Sequence, residues 1–199
     1  LLINKIKKYL PNAIIIVIDD SPIEENKKIN KIFKKTVNVI LISRLKKLGR
    51  GSAVINGFKE GLKNKNTQYF FEMDSDLAHD PKEFSRFINE VAVYPYDLVI
   101  GSRYMQGSRI VNIAKNRTIL SRSINKFLLY WLGIKTSDFT SGFRLYSRQA
   151  VKFIISSNLK STGFITLSET LYKLNRNGFK ITEVPITWNF RKYGKSNVN

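Results

Sequence analysis

The 199-residue chain has no cysteine and only one histidine. Disulfide bonds and thiolate metal sites are therefore excluded, and one imidazole is too few for a conventional zinc site. A lack of cysteine is typical of proteins from a reducing compartment. Long apolar runs are missing too: residues 13–18 are too short to cross a bilayer, which takes about 20 apolar residues. Residues 124–134 are apolar but include Asn125 and Lys126, which indicates an amphipathic or interfacial helix.

Acidic residues are scarce. The chain has 15 Asp and Glu against 34 Lys and Arg, so its formal net charge is +19. Such an excess predicts an anionic partner: nucleic acid, a phosphorylated substrate or an anionic membrane. Alternatively, many of the lysines are solvated residues on helix faces. Apolar residues make up 43% of the chain, which is enough for one domain with a buried core.

Apolar runs alternate with amphipathic segments along the chain. The expected strands are residues 13–18, 37–42, 69–73, 97–102 and 181–190. The expected helices are residues 1–10, 21–35, segments that start at 52 and 80, a long helix that ends near 132, and residues 149–157 and 167–177. Residues 105–115 are predicted to be a loop and residues 138–144 a polar turn. The alternation predicts an α/β fold with a mostly parallel sheet, whose first strands are buried on both faces.

Polar groups follow several of the predicted strands. Asp19 and Asp20 end the first, a basic glycine loop (residues 46–52) follows the second, and Asp74 and Asp76 follow the third. Ligands of open α/β sheets bind beyond the carboxyl ends of the strands. Two carboxylates at alternate positions of a turn can bind one ion, and oxygen ligands favour Mg²⁺ or Mn²⁺. Such an ion can bridge to a diphosphate and stabilise it as a leaving group.

Each of these features also has a purely structural interpretation. An Asp-x-Asp pair is common in turns and helix caps. Asp20 could bind a base or ribose, or could cap a helix. Gly49 and Gly51 allow a backbone to approach a ligand closely, but they also suit an ordinary strand–helix turn. The full glycine pattern of a dinucleotide site is absent, and we expect His79 to have a local structural role.

Short segments in a consistent order span nearly the whole chain. They are Val17-Ile-Asp-Asp-Ser-Pro22, Lys47-Leu-Gly-Arg-Gly-Ser-Ala53, Met73-Asp-Ser-Asp-Leu-Ala-His-Asp-Pro81, Val99-Ile-Gly-Ser-Arg-Tyr104, Asn116-Arg-Thr-Ile-Leu-Ser-Arg122 with Asn125, Asp138-Phe-Thr-Ser-Gly-Phe-Arg-Leu-Tyr146, Glu183-Val-Pro-Ile186 and Arg191-Lys-Tyr-Gly-Lys-Ser196. In these segments the sequence resembles the family 2 glycosyltransferases, most closely the polyprenyl-phosphate (dolichyl-phosphate) mannose or glucose synthases.

The resemblance implies a GT-A fold in one domain, residues 1–199. Residues 1–104 would form the nucleotide-sugar part and residues 105–199 the acceptor part. The residues implied for the nucleotide sugar are Asp19, Asp20, Gly49, Gly51 and Asp74. Those implied for Mg²⁺ or Mn²⁺ are Asp74 and Asp76. Those implied for the acceptor phosphate are Arg103, Arg117, Ser121, Arg144 and Arg191, and the catalytic candidates are Asp74, Asp76, Asp138 and Glu169.

The sequence departs from the family pattern at three points. The family's opening strand, with its Pro-x-Tyr-Asn-Glu motif, is missing before residue 1. Ala78 stands where some relatives have a glutamine that binds the metal, so we expect water to complete the metal shell. Leu167 replaces the glutamine of a Phe-Gln-x-Glu motif, while the glutamate persists as Glu169. The second and third departures bear on the metal, the acceptor and the sugar.

The resemblance leads us to expect an inverting glycosyltransferase. It would move a hexose, with mannose favoured, from a GDP- or UDP-sugar to a polyprenyl phosphate on the cytoplasmic face of a membrane. A phosphate acceptor is already anionic, so a strong general base is less necessary than for a hydroxyl. One alternative is a family member that glycosylates a saccharide or protein hydroxyl, with Asp138 or Glu169 as the base. The others are a non-catalytic relic and a basic nucleic-acid-binding module, which we disfavour because the aromatic residues lie in apolar runs.

Overall fold

The computed structural model describes residues 2–33, 36–111, 115–161, 163 and 165–189. Its helices are α1 (Leu2–Tyr9), α2 (Ile23–Phe33), α3 (Arg50–Leu62), α4 (Phe84–Val93), α5 (Lys115–Leu132), α6 (Arg148–Ser156) and α7 (Ile165–Arg176), with a 3-10 turn at Pro81–Glu83. Its strands are β1 (Ile15–Asp19), β2 (Val39–Ser43), β3 (Tyr69–Glu72), β4 (Leu98–Ser102), β5 (Arg109–Val111), β6 (Arg144–Ser147), β7 (Ile181–Pro185) and β8 (Thr187–Asn189). The alternation confirms the predicted α/β class.

The central sheet has the strand order β3-β6-β4-β7. β4 and β7 are parallel, whereas β6 runs antiparallel to both β3 and β4. Two parallel pairs, β1 with β2 and β5 with β8, complete the described strands. The sheet is therefore mixed in direction. Strand β6 escaped the sequence prediction because its four residues directly follow a polar turn and begin with a charged side chain.

Strand β4 lies in the middle of the molecule, and all five of its residues are buried. Leu98 and Ile100 face a cluster formed with α3, α6 and α7, whereas Val99 joins a second cluster formed with α1 and α4. Each face of the central sheet is thus covered by helices. For this reason β4 does not alternate between apolar and polar residues, as a strand with one solvent-exposed face would. Burial on both faces was expected of the first two strands, and the structure shows it for β4. The expectation is wrong for β1 and β2, the strands for which it was made, because their residues are mostly half-buried or exposed.

Strands β1 and β3 are not paired with each other among the described residues. A cavity of about 1280 Å³ lies between them and is lined by both strands, α1 and α3. Beside the cavity, one edge of β1 and one edge of β3 have no neighbouring strand among the described residues. That the family has a further strand at the start of this fold stays a prediction from the resemblance.

One loop prediction and one strand prediction need correction. The expected loop at residues 105–115 contains the short strand β5, and the expected strand at residues 181–190 is divided into β7 and β8 after Pro185. The two parts have different partners, since β7 pairs with β4 and β8 pairs with β5. None of the helices in the described part of the chain has the length and apolar content needed to cross a membrane.

Candidate active site

An acidic turn, residues 74–80, follows β3 directly. The Ala78 backbone N–H donates to Oδ1 of Asp76 at 3.0 Å, which fixes the orientation of that carboxylate. Between them Leu77 adopts φ 65°, a left-handed conformation that costs a branched residue about 1–2 kcal/mol. Backbone strain of this kind persists only where surrounding contacts impose it, and it is common at functional sites.

His79 holds the start of this turn from inside the protein. Its Nδ1 accepts the Asp74 backbone N–H at 3.2 Å, and its ring stacks on Phe143 with centroids 5.0 Å apart. Burial lowers the pKa of His79; the charge of Asp74 opposes this shift, while Arg103 and Arg50 reinforce it. The ring is therefore a neutral acceptor near neutral pH, and the geometry agrees with the expected structural role.

Arg50 is an ion-pair partner that the sequence argument missed. Its Nη1 lies 2.6 Å from Glu72 Oε1 and its Nε lies 3.4 Å from Asp74 Oδ1. The Glu72 carboxylate also accepts the Tyr146 hydroxyl at 2.8 Å. Burial lowers the pKa of Arg50, but the charges of Glu72 and Asp74 outweigh it and the net shift is upward. A β-carbon at Gly142 would collide with the guanidinium, so this glycine makes room for a permanent cation beside the acidic turn.

Asp20 is paired across the carboxyl ends of β1 and β2. The Arg44 guanidinium donates through Nε to Asp20 Oδ1 at 2.6 Å and through Nη2 to Oδ2 at 2.5 Å. Its Nη1 also donates to Ser52 Oγ at 2.8 Å, at the start of α3. Asp20 thus anchors the glycine loop through Arg44. Its side chain remains 25% exposed, so contact with a nucleotide stays a prediction.

The other residues predicted to bind the nucleotide sugar all have local structural reasons. Asp19 Oδ1 accepts the Ser21 backbone N–H at 3.0 Å and shapes the turn before α2. Gly49 has φ 84°, which favours glycine, and immediately precedes α3. A β-carbon at Gly51 would collide with Thr166 of α7, so that glycine allows two helices to approach closely. These observations support the turn-and-packing interpretation of the two glycines.

The structure brings together two residues that the sequence placed 35 positions apart. Arg103 and Asp138 form a bidentate ion pair, with Nε–Oδ2 and Nη2–Oδ1 distances of 2.7 Å each. The Arg103 backbone N–H and Thr140 also donate to the same carboxylate, and Asp138 is fully buried. Burial lowers the pKa of Arg103, but the charge of Asp138 outweighs it and the net direction is upward. The Arg103–Asp138 pair is therefore charged and internally neutralised.

Aromatic rings flank the guanidinium of Arg103. Its central carbon lies 5.2 Å from the Tyr104 ring centroid and 5.4 Å from that of Trp188. The Tyr104 hydroxyl donates to Ser121 Oγ at 2.6 Å, which connects the pair to α5. Two predicted phosphate ligands, Arg103 and Ser121, are thus neighbours through one tyrosine.

Two further arginines predicted to bind the acceptor phosphate, Arg117 and Arg191, have side chains outside the described part of the structure. Arg117 belongs to α5, but its side chain lies outside the described part of the structure, as does the whole of Arg191. Their contacts with the acceptor stay predictions.

A second set of polar residues orients the loop that carries Asp138. The Glu183 carboxylate accepts the Ser137 backbone N–H at 2.7 Å and the Asp138 backbone N–H at 3.1 Å. On the other side, Asn125 Oδ1 accepts the Phe139 backbone N–H at 2.7 Å. Glu183 and Asn125 belong to segments that resemble the family, yet no role was predicted for either. The available signal was a carboxylate and an amide in otherwise apolar stretches of the sequence.

The predicted phosphate contact by Arg144 is wrong. Its side chain is fully buried, and its guanidinium donates to three backbone carbonyls: Ser141 at 2.8 Å, Leu167 at 2.9 Å and Phe139 at 2.9 Å. All three nitrogens are therefore occupied within the core. Arg144 fixes the path of the 138–142 loop against α7 and does not face a ligand.

Glu169 is similarly engaged, at the start of α7. Its two carboxylate oxygens accept the backbone N–H groups of Lys160 and Ser161 at 2.8 and 2.9 Å, and Lys173 Nζ lies 3.3 Å away. Partial burial raises the pKa of Glu169, but these hydrogen bonds outweigh it and the net shift lowers the pKa to about 2. A carboxylate of this acidity is a poor general base at neutral pH. The structure thus argues against the catalytic role expected of Glu169.

The acidic turn has the chemistry of a divalent cation site. The Asp74 side chain is 40% exposed, and its 3.4 Å contact with Arg50 is long enough to be exchanged for another cation. Within the described ranges no group of three Asp, Glu, His or Cys side chains converges. The protein would thus supply two carboxylates, which suits an ion that also binds diphosphate oxygens and water. Ala78 is buried and offers no ligand, so completion of the shell by water stays a prediction.

The structure thus places an acidic turn at the carboxyl end of β3, with Arg50 beside Asp74. The model of the family described as Glycosyl transferase family 2 matches residues 2–155. The chain belongs to this family, and the protein is a glycosyltransferase.

Two relatives align with the whole chain. The polyprenol monophosphomannose synthase of Mycolicibacterium smegmatis is 32% identical over 201 residues, and the alignment covers 75% of that protein. The undecaprenyl-phosphate mannosyltransferase of Micrococcus luteus is 30% identical over 200 residues and is covered to 81%. These similarities confirm the predicted resemblance to polyprenyl-phosphate mannose synthases.

A solved structure of similar fold is glucosyl-3-phosphoglycerate synthase from Mycobacterium tuberculosis, in complex with Mn²⁺, UDP-glucose and phosphoglyceric acid. It superimposes with a TM-score of 0.58 at 16% identity. The superposition covers 92% of this chain and 61% of that one, so this chain spans under two thirds of its length. At this identity the likeness concerns the fold, and the predicted GT-A architecture is confirmed.

Proposed function

We propose that this protein transfers a hexosyl group from a nucleoside diphosphate sugar to the phosphate of a polyprenyl phosphate at a membrane surface. The observation that carries the proposal is the exposed Asp74 carboxylate beside Arg50, at the end of the sheet where Arg103 also lies. Both relatives described above are named for mannose transfer involving a polyprenyl phosphate. We therefore favour mannose as the sugar and GDP or UDP as the nucleotide.

On the donor side, Asp74 and Asp76 would hold Mg²⁺ or Mn²⁺ together with the diphosphate. Such an ion, when bound, neutralises negative charge on the leaving diphosphate. Arg50 contributes a second, permanent cation within reach of the same oxygens, because Glu72 and Gly142 hold its guanidinium in place. The Leu77 strain and the His79 hydrogen bond keep the two carboxylates oriented before the donor arrives. Asp20 and Asp19 would contact the nucleotide from the neighbouring strand.

On the acceptor side, Arg103 would attract the polyprenyl phosphate, with Ser121, Arg117 and Arg191 as further ligands. Because Asp138 and Thr140 already engage Nε and Nη2 of Arg103, the phosphate would be bound through Nη1 and the positive charge of the guanidinium. Asp138 orients Arg103 through two of its nitrogens and acts as a positioning residue.

The chemical step would be an in-line displacement. A phosphate oxygen of the acceptor attacks the anomeric carbon while the bond from that carbon to the diphosphate oxygen breaks, which inverts the configuration. The electron pair of the broken bond leaves with the nucleoside diphosphate, and no proton has to be removed from the acceptor. This agrees with the engagement of both predicted bases, Asp138 with Arg103 and Glu169 with the backbone of Lys160 and Ser161. Rate enhancement would come from positioning and charge neutralisation.

The test is transfer from a panel of labelled GDP- and UDP-hexoses to polyprenyl phosphate, with Mg²⁺ or Mn²⁺. We expect chloroform-extractable label from one donor, and loss of that label when the metal is chelated. Asp74→Ala and Asp76→Ala should each lower transfer at least about 10³-fold, which corresponds to about 4 kcal/mol.

The matched control for these variants is Asp80→Ala. Asp80 belongs to the same turn but accepts the Lys82 backbone N–H, at the start of the 3-10 turn. It should retain transfer to within about threefold. Near-normal turnover of both the Asp74 and the Asp76 variants would overturn the proposed donor site.

A further inference from the structure

The backbone of Tyr104 is held at the carboxyl end of β4. Ser102, the last residue of that strand, is fully buried, and its hydroxyl oxygen accepts the Tyr104 backbone N–H at 3.1 Å. The same oxygen lies 2.6 Å from Ser137 Oγ, and the Ser137 hydroxyl donates to the Glu183 carboxylate at 3.1 Å. The turn after β4 is thus tied to the loop before β6, and the Tyr104 side chain starts from a fixed point.

The side chain of Tyr104 reaches from this turn to helix α5. Its hydroxyl donates to Ser121 Oγ at 2.6 Å. Its ring is shared by two guanidinium groups, whose central carbons lie 5.2 Å (Arg103) and 5.7 Å (Arg122) from the ring centroid, within the range of a cation–π contact. One side chain therefore contacts Arg103 at the end of β4 and two consecutive residues of α5.

The guanidinium of Arg103 is constrained on several sides. Asp138 accepts from Nε and Nη2, and Nη2 also donates to Thr140 at 2.7 Å. The rings of Tyr104 and Trp188 lie next to the guanidinium, with centroids 5.2 and 5.4 Å from its central carbon. These contacts leave Nη1 to meet an oxygen of the acceptor phosphate, and they set the direction in which Nη1 points.

We propose that Tyr104 is a positioning residue for the acceptor phosphate. It holds Nη1 of Arg103 and the hydroxyl of Ser121 at the separation that one phosphate group needs. These two predicted ligands belong to different elements, a strand end and a helix, so neither element alone sets the distance between them. A fixed separation removes the entropy cost of ordering both ligands when the phosphate arrives. The inference rests on the proposed function, because it concerns the acceptor of the same reaction.

Asn125 allows the role of Tyr104 to be separated from folding. Asn125 follows Ser121 by one turn of α5, is buried, and accepts the Phe139 backbone N–H at 2.7 Å. This contact keeps α5 on the protein when the Tyr104 hydroxyl is removed. Tyr104→Phe should therefore fold and keep its ring next to Arg103, while Ser121 loses the partner that fixes it.

The first measurement is the binding of a short lipid phosphate to the full chain. Trp188 is a reporter for this site because its ring lies next to Arg103, and Trp131→Phe makes it the only tryptophan of the two in the chain. In this background, farnesyl phosphate in detergent should change Trp188 emission. Tyr104→Phe should raise the Kd of farnesyl phosphate about tenfold and leave the Kd of farnesol unchanged, because only phosphate contacts are disturbed.

The second measurement separates acceptor from donor in the transfer reaction. Tyr104→Phe should raise the KM for polyprenyl phosphate about tenfold, while the KM for the sugar donor and the Kd for Mn²⁺ stay within about twofold of their native values. Tyr172→Phe removes a hydroxyl from a tyrosine of α7 that is 40% exposed, and it should change none of these quantities. In a Ser121→Ala background, Tyr104→Phe should cause no further loss, because its hydroxyl acts through Ser121.

Three results would overturn the positioning role of Tyr104. The first is a native Kd for farnesyl phosphate in Tyr104→Phe, even where urea unfolding shows the variant to be less stable, since that combination marks a purely structural residue. The second is an equal loss of affinity for farnesyl phosphate and farnesol, which would place Tyr104 against the lipid chain. The third is an undiminished effect of Tyr104→Phe in the Ser121→Ala background.

Failure of the proposed function would look different. A native protein that transfers no sugar to polyprenyl phosphate would overturn that function, and this inference with it. Transfer by the native protein together with any one of the three results above would remove only the role of Tyr104.

Discussion

The acidic turn and the Arg103–Asp138 pair balance their charges in opposite ways. In the acidic turn, Asp74 is 40% exposed and contacts Arg50 at only 3.4 Å. In the pair, Asp138 is fully buried and both of its oxygens are within 2.7 Å of Arg103 nitrogens. The first arrangement can accept an additional cation from solution. In the second arrangement both carboxylate oxygens already have a partner. Asp138 therefore positions Arg103 and is poorly placed to act as a general base.

The comparison assigns different tasks to the two ends of the proposed reaction. The donor end is built for an incoming metal and diphosphate, whose charges are absent before binding. The acceptor end presents one oriented cation whose own counter-ion is held behind it by Glu183. If this is correct, substitutions at the pair should mainly change stability, whereas substitutions at the turn should mainly change ligand binding.

The largest effect is expected from Asp138→Asn. The substitution leaves the Arg103 charge buried without its carboxylate, which should lower the free energy of unfolding by about 3 kcal/mol. Asp20→Asn breaks a similar bidentate pair, but Asp20 is 25% exposed, and the expected loss is about 1 kcal/mol. Urea unfolding of both variants measures the difference. Equal losses, or a larger loss for Asp20→Asn, would show that burial does not distinguish the two pairs.

A smaller effect should follow from Arg50→Gln, measured as Mn²⁺ affinity in the absence of nucleotide. Removing a cation that lies 3.4 Å from Asp74 should strengthen Mn²⁺ binding by roughly 1 kcal/mol, which lowers the Kd about fivefold. Arg50→Lys keeps the charge and should stay near the native affinity, and Arg86→Gln serves as a surface control. Electron paramagnetic resonance of free Mn²⁺ gives the Kd directly. Weaker Mn²⁺ binding by Arg50→Gln would mean that Arg50 does not compete for Asp74.

An effect of similar size is expected at Glu169, and it depends on pH. Its pKa is lowered from 4.5 to about 2, so its stabilising contribution is complete above pH 4.5 and is lost as the pH falls towards 2. Glu169→Gln should therefore be less stable than the native protein by about 1 kcal/mol at pH 7, after allowance for solvent screening. The difference should narrow below pH 4.5, as measured by urea unfolding at several pH values. If the difference in stability between the native protein and Glu169→Gln stayed constant down to pH 3, the hydrogen bonds of the Glu169 carboxylate would not be its cause.

The sequence allowed prediction of those elements whose signals are local. β-branched runs predicted β1 and β2, and the apolar run before Asp74 predicted β3, all to within about two residues. The acidic turn was identified for the same reason, because both aspartates directly follow a strand. The family resemblance supplied the remaining assignments, including the class of enzyme.

What escaped prediction depends on contacts between distant residues. Arg103 meets Asp138 only because β4 and the loop before β6 lie side by side, and the order of strands cannot be derived from their separate patterns. Arg144 was assigned to the acceptor phosphate from its position in a segment that resembles the family. Three carbonyls from two separate segments make its burial possible instead.

The acceptor provides the most direct test of the account. With the donor fixed, polyprenyl phosphate and the corresponding polyprenol, which lacks the phosphate, should be compared at equal concentration in the same detergent. The account predicts transfer to the phosphate and at least about 10³-fold less to the alcohol, because the two predicted bases, Asp138 and Glu169, are held by other groups and cannot readily accept the hydroxyl proton. Comparable transfer to both acceptors would contradict it, and would return Asp138 or Glu169 to the role of general base.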